Sequence, residues 1–293
     1  MTRPRHLLPT AIALALTTAA AHAAADPGAP VTTEARAPAQ AAPAAQGGVE
    51  MPANMAELDA ALAGKDYAGL SRLHDQITNG DDLILYMNWE QAHVFDGAGL
   101  FLSLSYMNDL WGLASVLPER SPEEAHAVDE MKQTALFMGL YAYELIVLDG
   151  ARCADGTAPG HRLDQLLGDH AATFSYVAAM AEGRRAQMVD AVQKLEAHTA
   201  PRRQNDDVLC GGGMASMIAS LGAAAKSGAA PREVPNRPGM IGKTYELPAA
   251  PGHQALFVAP DAWRPAQEKL RAAMPARLAE LMTTHPAAPT PAP

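Results

Sequence analysis

Between Ala135 and Leu148 a single residue, Glu144, carries a charge. The segment is apolar on nearly every side, a pattern that suits a helix buried all round and not one lying on a surface. It is also well short of the roughly 20 residues a membrane-spanning helix needs. Upstream, Ser121-Pro122-Glu123-Glu124 is a helix start with an N-cap hydroxyl, proline at the first position and glutamate at the third. Asp149-Gly150 is the matching stop. The chain is therefore organised round one long core helix from 122 to 148.

What packs on that helix follows from composition. Aromatic residues make up only 5% of the chain and alanine dominates. A core of Leu, Met, Val and Ala favours packed helices over a β-sandwich. The expected class is mainly α: a helical bundle or irregular helical array with one disulfide, a proline-rich C-terminal wrap and a terminal helix.

The chain ends are not part of that core. Residues 1–23 combine Arg3 and Arg5, an apolar run from Leu7 to Ala21, and Ala21-His22-Ala23, the pattern of a secretory signal peptide. The run is short and carries Pro9, so cleavage is expected and not a retained anchor. No cysteine precedes Cys153, which excludes a lipid-attachment cysteine near the cleavage point. Residues 24–50, rich in Ala and Pro, bury too little to offset their ordering entropy and read as a disordered linker, as does the tail 286–293. The expected address is the periplasm or the exterior.

The helical domain is expected over 51–228. Asn54-Met-Ala-Glu57 reads as a capping box ahead of Leu58 and Leu62. Asp66 caps a second helix with Leu70, Leu73 and Ile77 on one face, closed by Asn79-Gly80. These two short helices resemble one unit of a tetratricopeptide-type solenoid, but no repeat at a period near 34 follows. Asp81-Asp82 opens a helical stretch to Val116, in which Gly97 and Gly99 mark a break or a close contact. A polar loop over 150–160, a short helix round Leu163–Leu167 and a long helix over 171–198 come next. In the long helix Phe174, Val177, Ala181, Met188, Val192 and Leu195 form the stripe. Gly211–Gly213 leads into a small-residue helix with Met214, Met217, Ile218 and Leu221 at its apolar positions. Residues 229–260 form an extended wrap, in which Thr244–Leu247 and Ala255–Val258 suit a hairpin. Asp261 caps a last helix, 261–285, carrying Leu270, Met274, Leu278 and Leu281 and interrupted by Pro275.

Cys153 and Cys210 are the only cysteines. In an oxidising compartment an isolated pair is most simply a disulfide. The bridge would pin the loop Arg152–Arg162 against the Gly211–Gly213 turn, and loops held on a scaffold are where binding sites tend to lie. That loop gathers Arg152, Asp155, His161 and Arg162. Arginine forks suit carboxylate or phosphate ligands, and Cys210-Gly-Gly-Gly213 before a helix could offer backbone N–H groups to an anion. The competing structural reading pairs Arg152 and Arg162 with acids such as Asp149 and Asp164.

Glu144 is the other focus. A carboxylate in so apolar a helix is expected to be buried, to have a raised pKa and to need a partner. If 82–116 and 122–148 formed a simple antiparallel hairpin, Glu144 would lie level with His93 and Asp96, one turn from Glu90. Glu90, His93, Asp96 and Glu144 are thus the candidate set for a metal-assisted hydrolase, with Glu144 and His93 the candidate catalytic pair. Glu123-x-x-His126 lies at the far end of that hairpin and is explained by helix capping. Arg184-Arg185 and Arg202-Arg203 read as solvated charges.

With 22 basic against 32 acidic residues the surface is acidic, and loss of residues 1–23 removes two arginines and no acid. This argues against nucleic acid and anionic membranes as main partners. No Gly-x-Ser-x-Gly, His-Glu-x-x-His or phosphate-loop motif occurs, and no cofactor is implied. No later segment has 18 consecutive apolar residues, so no transmembrane helix is expected after the signal. The favoured expectation is a non-catalytic exported protein that binds an envelope protein or a small anionic ligand near the disulfide. The alternative is the metal-assisted hydrolase.

Overall fold

The structure, a computed structural model, describes residues 49–284 except 118, 120, 236–241 and 248–249. The expected signal peptide (1–23), most of the expected linker (24–50) and the expected tail (286–293) fall outside the described residues. Those described are mainly α-helical. In chain order they form α1 (Met55–Ala63), α2 (Tyr67–His74), α3 (Gly80–Phe95), α4 (Leu100–Val116), α5 (Pro122–Asp149), α6 (Thr157–Asp169), α7 (Ala171–Ser175), α8 (Glu182–Thr199), α9 (Asp207–Cys210), α10 (Met214–Ser227) and α11 (Pro260–Thr284). Strands β1 (Arg232–Val234) and β2 (Thr244–Glu246) pair antiparallel, with Glu233 opposite Tyr245.

The core helix is where the sequence places it. Ser121 Oγ accepts from the Glu124 N–H at 3.2 Å, Pro122 opens α5, and the helix runs to Asp149. α4, α6, α7, α8 and α11 all pack on it, which is why Leu136, Leu140, Tyr141, Leu145, Ile146 and Leu148 are buried. With the residues just beyond it, Pro122–Arg152 is long and apolar enough to cross a membrane, which counting consecutive apolar residues missed. Its apolar window is 83% buried inside the protein, as a core helix requires. Gly139 permits a close approach of α4 and α7: a Cβ there would stand 3.1 Å from Met107 Sδ and 3.2 Å from the Phe174 ring.

Several expected elements are redrawn. The stretch 82–116 is two helices, because Gly97 and Gly99 both take positive φ, at 89° and 91°. Asn79-Gly80 does not close α2. Asn79 instead caps α3 by accepting from the Asp82 N–H, and α2 ends at His74. Asn54 makes no side-chain cap, whereas Asp66 accepts from the Gly69 N–H as expected.

The polar loop and short helix over 150–167 are a 3₁₀ turn at Gly150–Arg152 and then the whole of α6. Asp155 Oδ1 accepts from the Thr157 N–H and starts α6 early, and Pro159 is tolerated in its first turn. The long helix over 171–198 breaks at an extended Ala181, which is exposed and not in the stripe. Its carbonyl accepts from Arg184 and Arg185 to begin α8, and Gly183, a weak helix former, sits at that boundary. Met188, Val192 and Leu195 are buried as expected.

In the wrap, β2 pairs with β1 and not with 255–258. That segment instead makes an isolated antiparallel bridge from Phe257 to Cys153: the Ala154 N–H donates to Leu256 O and the Val258 N–H to Arg152 O, both at 2.9 Å. α11 continues through Pro265 and Pro275. Burial of Met274, Leu278 and Met282 against the body offsets the missing N–H of Pro275.

Candidate functional site at the disulfide-bridged end

Cys153 and Cys210 form the disulfide, across a sequence separation of 57. Around it the charged loop is inward-looking. Arg152 is only 6% exposed. It donates to the backbone carbonyls of Arg203 and Gln204 at 3.2 and 3.1 Å, pairs with Asp149 at 3.3 Å, and its guanidinium lies 4.6 Å from the Trp263 ring centre. Arg162 donates from Nε to Val208 O at 2.8 Å, and its two terminal nitrogens reach Gln165 Oε1 and Gly211 O. Burial lowers the pKa of both guanidinium groups, which stay charged. The Arg152–Asp149 pair was legible in the sequence; an Arg162–Asp164 pair is replaced by Arg162 to Gln165.

The expected anion cradle at Gly211–Gly213 is occupied by the protein itself. Asp155 Oδ2 accepts from the Ala215 N–H at 2.8 Å and Thr157 Oγ accepts from the Met214 N–H at 2.8 Å, so the first two N–H groups of α10 are taken. The hydroxyl of Thr157, with the Ala215 and Thr157 amides, holds the Asp155 carboxyl below its usual range. His161 is exposed on α6. Of the four ligand-binding candidates, Arg152, Asp155 and Arg162 build the scaffold and none presents a free fork to solvent.

Arg202-Arg203 is the clearest departure from expectation. Arg203, expected to be solvated, is 6% exposed and all its donors are used. Nε and one terminal nitrogen bond Asp149, at 2.6 and 3.3 Å. The remaining contacts are to Glu196 Oε1 at 2.6 Å, Glu196 O at 3.1 Å and Thr199 Oγ at 2.8 Å. Arg271 of α11 reaches Glu196 at 2.9 Å, and Gln267 donates to Asp149 at 2.8 Å, so the network ties α5, α8 and α11 together. Burial works against ionised Glu196, but the hydrogen bonds from Arg271 and Arg203 outweigh it and lower the pKa.

Glu144 sits beside this network and not beside His93. It is 1% exposed and its Oε2 has no hydrogen-bond partner. Burial, then the nearby Glu196 carboxylate, push its pKa up to about 8, with Arg203 and Arg271 opposing. The folded state therefore holds a proton that the unfolded chain releases near the ordinary value of 4.5. Stability should fall as pH rises from about 4.5 to about 8 and level off above. Glu144→Gln removes that titration. Its unfolding free energy should match the parent's near pH 4 and exceed it at pH 8.5 by at least about 1.4 kcal/mol, one pKa unit's worth. An equal offset at both pH values would show that the carboxyl does not titrate in this window.

The metal set is dispersed. His93 Nε2 pairs with Asp59 at 2.9 Å, and the same Asp59 oxygen accepts from Trp89 Nε1. Asp96 faces Arg202 at 3.5 Å. Glu90 is fully buried, with its pKa raised by burial and by Asp109, which itself pairs with His74. His126 lies 3.3 Å from Glu130. The break at Gly97–Gly99 removes the hairpin register on which the set depended. Among the described residues no group of three or more His, Cys, Asp or Glu is placed to hold a metal ion.

What the disulfide end does present is apolar. Met214, Met217, Ile218 and Leu221 fall at i, i+3, i+4 and i+7 of α10 and are 50%, 45%, 61% and 49% exposed. Ser220 and Ala224, on the flank next to Met217, are buried; Ser220 Oγ accepts from the Ala250 N–H. The periodicity was visible in the sequence, but its outward direction was not. Comparison with protein-family models, with curated proteins and with solved structures finds no match.

Proposed function

We propose that this chain is an exported, non-catalytic helical protein that binds a partner protein through the α10 face beside the disulfide. The observation that carries the reading is that face: four large apolar side chains in one helical stripe, turned to solvent. Contiguous exposed apolar surface of this kind marks interaction sites. The arrangement also favours a protein over a small anion, because Arg162 and the first two α10 amides are bonded internally and Arg152 is buried among Asp149, Trp263 and backbone carbonyls. The disulfide suits an oxidising compartment, in line with the N-terminal signal pattern. The enzyme alternative loses its support with the dispersal of Glu90, His93, Asp96 and Glu144.

A photo-crosslinking residue placed at Ile218 tests the reading in cells exporting the full chain. It should give a discrete adduct that the same residue at Asp190, an exposed position of α8, does not. The purified protein should begin after Ala23. No adduct at position 218, or equal adducts at both, would sink the proposal.

A further inference from the structure

We infer that the occupant of the α10 face is a second copy of this chain, paired antiparallel with it through α10. The inference rests on the reading of α10 as the contact face and names the partner.

The argument begins with charge. From Met214 to Ala225 α10 carries no charged residue; Lys226 is its only one. An amphipathic helix that settles on lipid carries basic residues along its polar face, and here that face is Ala, Ser and Gly. The chain as a whole has a formal charge of −10, which opposes anionic lipid and offers nothing to a basic partner along this neutral stripe. A neutral stripe is, however, complementary to itself, as a two-fold interface requires.

The register supplies the second argument. Ala225, exposed, continues the stripe of Met214, Ile218 and Leu221, while Ala215 and Gly222, also exposed and small, flank it. A two-fold axis at the middle of Met214–Ala225 sets Ile218 of one copy against Leu221 of the other. Lys226 then falls level with the other copy's Gly213, where the Asp155 carboxylate caps α10. The single charge of the helix thus meets an acid, and the two helix dipoles oppose. In a parallel pair Lys226 would face Lys226.

The third argument is area. The stripe with its small flanking residues offers on the order of 500 Å² per copy, so the pair buries about 1,000 Å² in total, the low end of specific interfaces. A concentration-dependent dimer is expected, not an obligate one.

Sedimentation velocity on the purified mature chain, from about 1 to 200 μM, spans the range in which an interface of that size associates. The wild type should pass from monomer to dimer. Ile218→Asp should weaken association at least about 10-fold, and Lys226→Glu should weaken it several-fold while leaving the melting temperature unchanged. Under mild oxidation Ile218→Cys, close to the axis, should form a disulfide-linked dimer, and Met214→Cys, far from it, should not. A chain monomeric throughout, or one whose dimer is indifferent to both charge variants, overturns the inference, as does equal crosslinking at 214 and 218. If the chain stays monomeric while the photo-adduct at position 218 has the mass of a different protein, the second-copy inference fails and the partner-binding reading stands. If neither dimer nor adduct forms, both fail.

Discussion

Replacing Arg203 with leucine is expected to destabilise the fold by about 3–5 kcal/mol, the cost of leaving buried charges without their counter-ion. The side chain is 1% exposed and holds Asp149 on α5 and Glu196 on α8 at once. Leucine fills part of the volume but leaves Asp149 with Arg152 at 3.3 Å and Glu196 with the half-exposed Arg271. Urea denaturation measured at two pH values separates charge from packing. In the variant Glu196 loses one of the two arginine partners that hold its pKa down against burial, so the folded state takes up a proton at higher pH than the parent does. Its stability then rises as pH falls, and the deficit should be clearly smaller at pH 4.5 than at pH 7.5. An equal deficit at both would assign the loss to a cavity. Arg203→Lys should recover little, since one ammonium cannot reproduce a fork with five donors.

This residue also marks the limit of what the sequence discloses. The core was legible because α5 carries its own cap, its own stop and one charge in fourteen positions; those are local signals, and local signals are readable. Arg202 and Arg203 stand side by side in a charged stretch, and nothing local distinguishes the exposed one from the buried one. What buries Arg203 is the arrival of Asp149, 54 residues earlier in the chain, beside Glu196 and Thr199 at the end of α8. Glu144 shows the same division. Its burial and raised pKa follow from its own helix, whereas its neighbours could be found only by knowing that Gly97 and Gly99 break the preceding helix and displace His93 and Asp96. For α10 the spacing gave the stripe but not its direction, because an inward stripe and an outward one have the same period. At the disulfide end the sequence holds residue types that suit an anion. Asp155 and Thr157 already supply the acceptors, which only the folded arrangement of α6 against α10 could reveal.

Removing the disulfide as the Cys153→Ala, Cys210→Ala double variant should cost about 4 kcal/mol, the chain-entropy expectation for a loop of this length. For a domain of this size that lowers the melting temperature by about 10 °C. The bridge closes the chain across a separation of 57 residues, a span that includes α6, α7 and α8. It therefore restricts the unfolded ensemble far more than a short loop would. If the stabilisation acts there, the freed chain unfolds to a more expanded state, and the slope of stability against urea should rise as the midpoint falls. A lowered midpoint at constant slope would place the effect in the native state instead. There the bridge does a second job: Cys153 is also the residue through which the 255–258 segment pairs, between the Ala154 and Val258 hydrogen bonds. Loss of the bridge should raise amide exchange at Ala154 and Val258 before it does so at Leu140 or Leu145 in α5. Reducing the wild type with dithiothreitol should reproduce both changes. The two effects bear on the α10 face in the same direction, because α10 begins four residues after Cys210 and is held there by Asp155 and Thr157, which follow Cys153 by two and four positions. A chain kept reduced should accordingly lose association through α10 before it loses the helical content of its core.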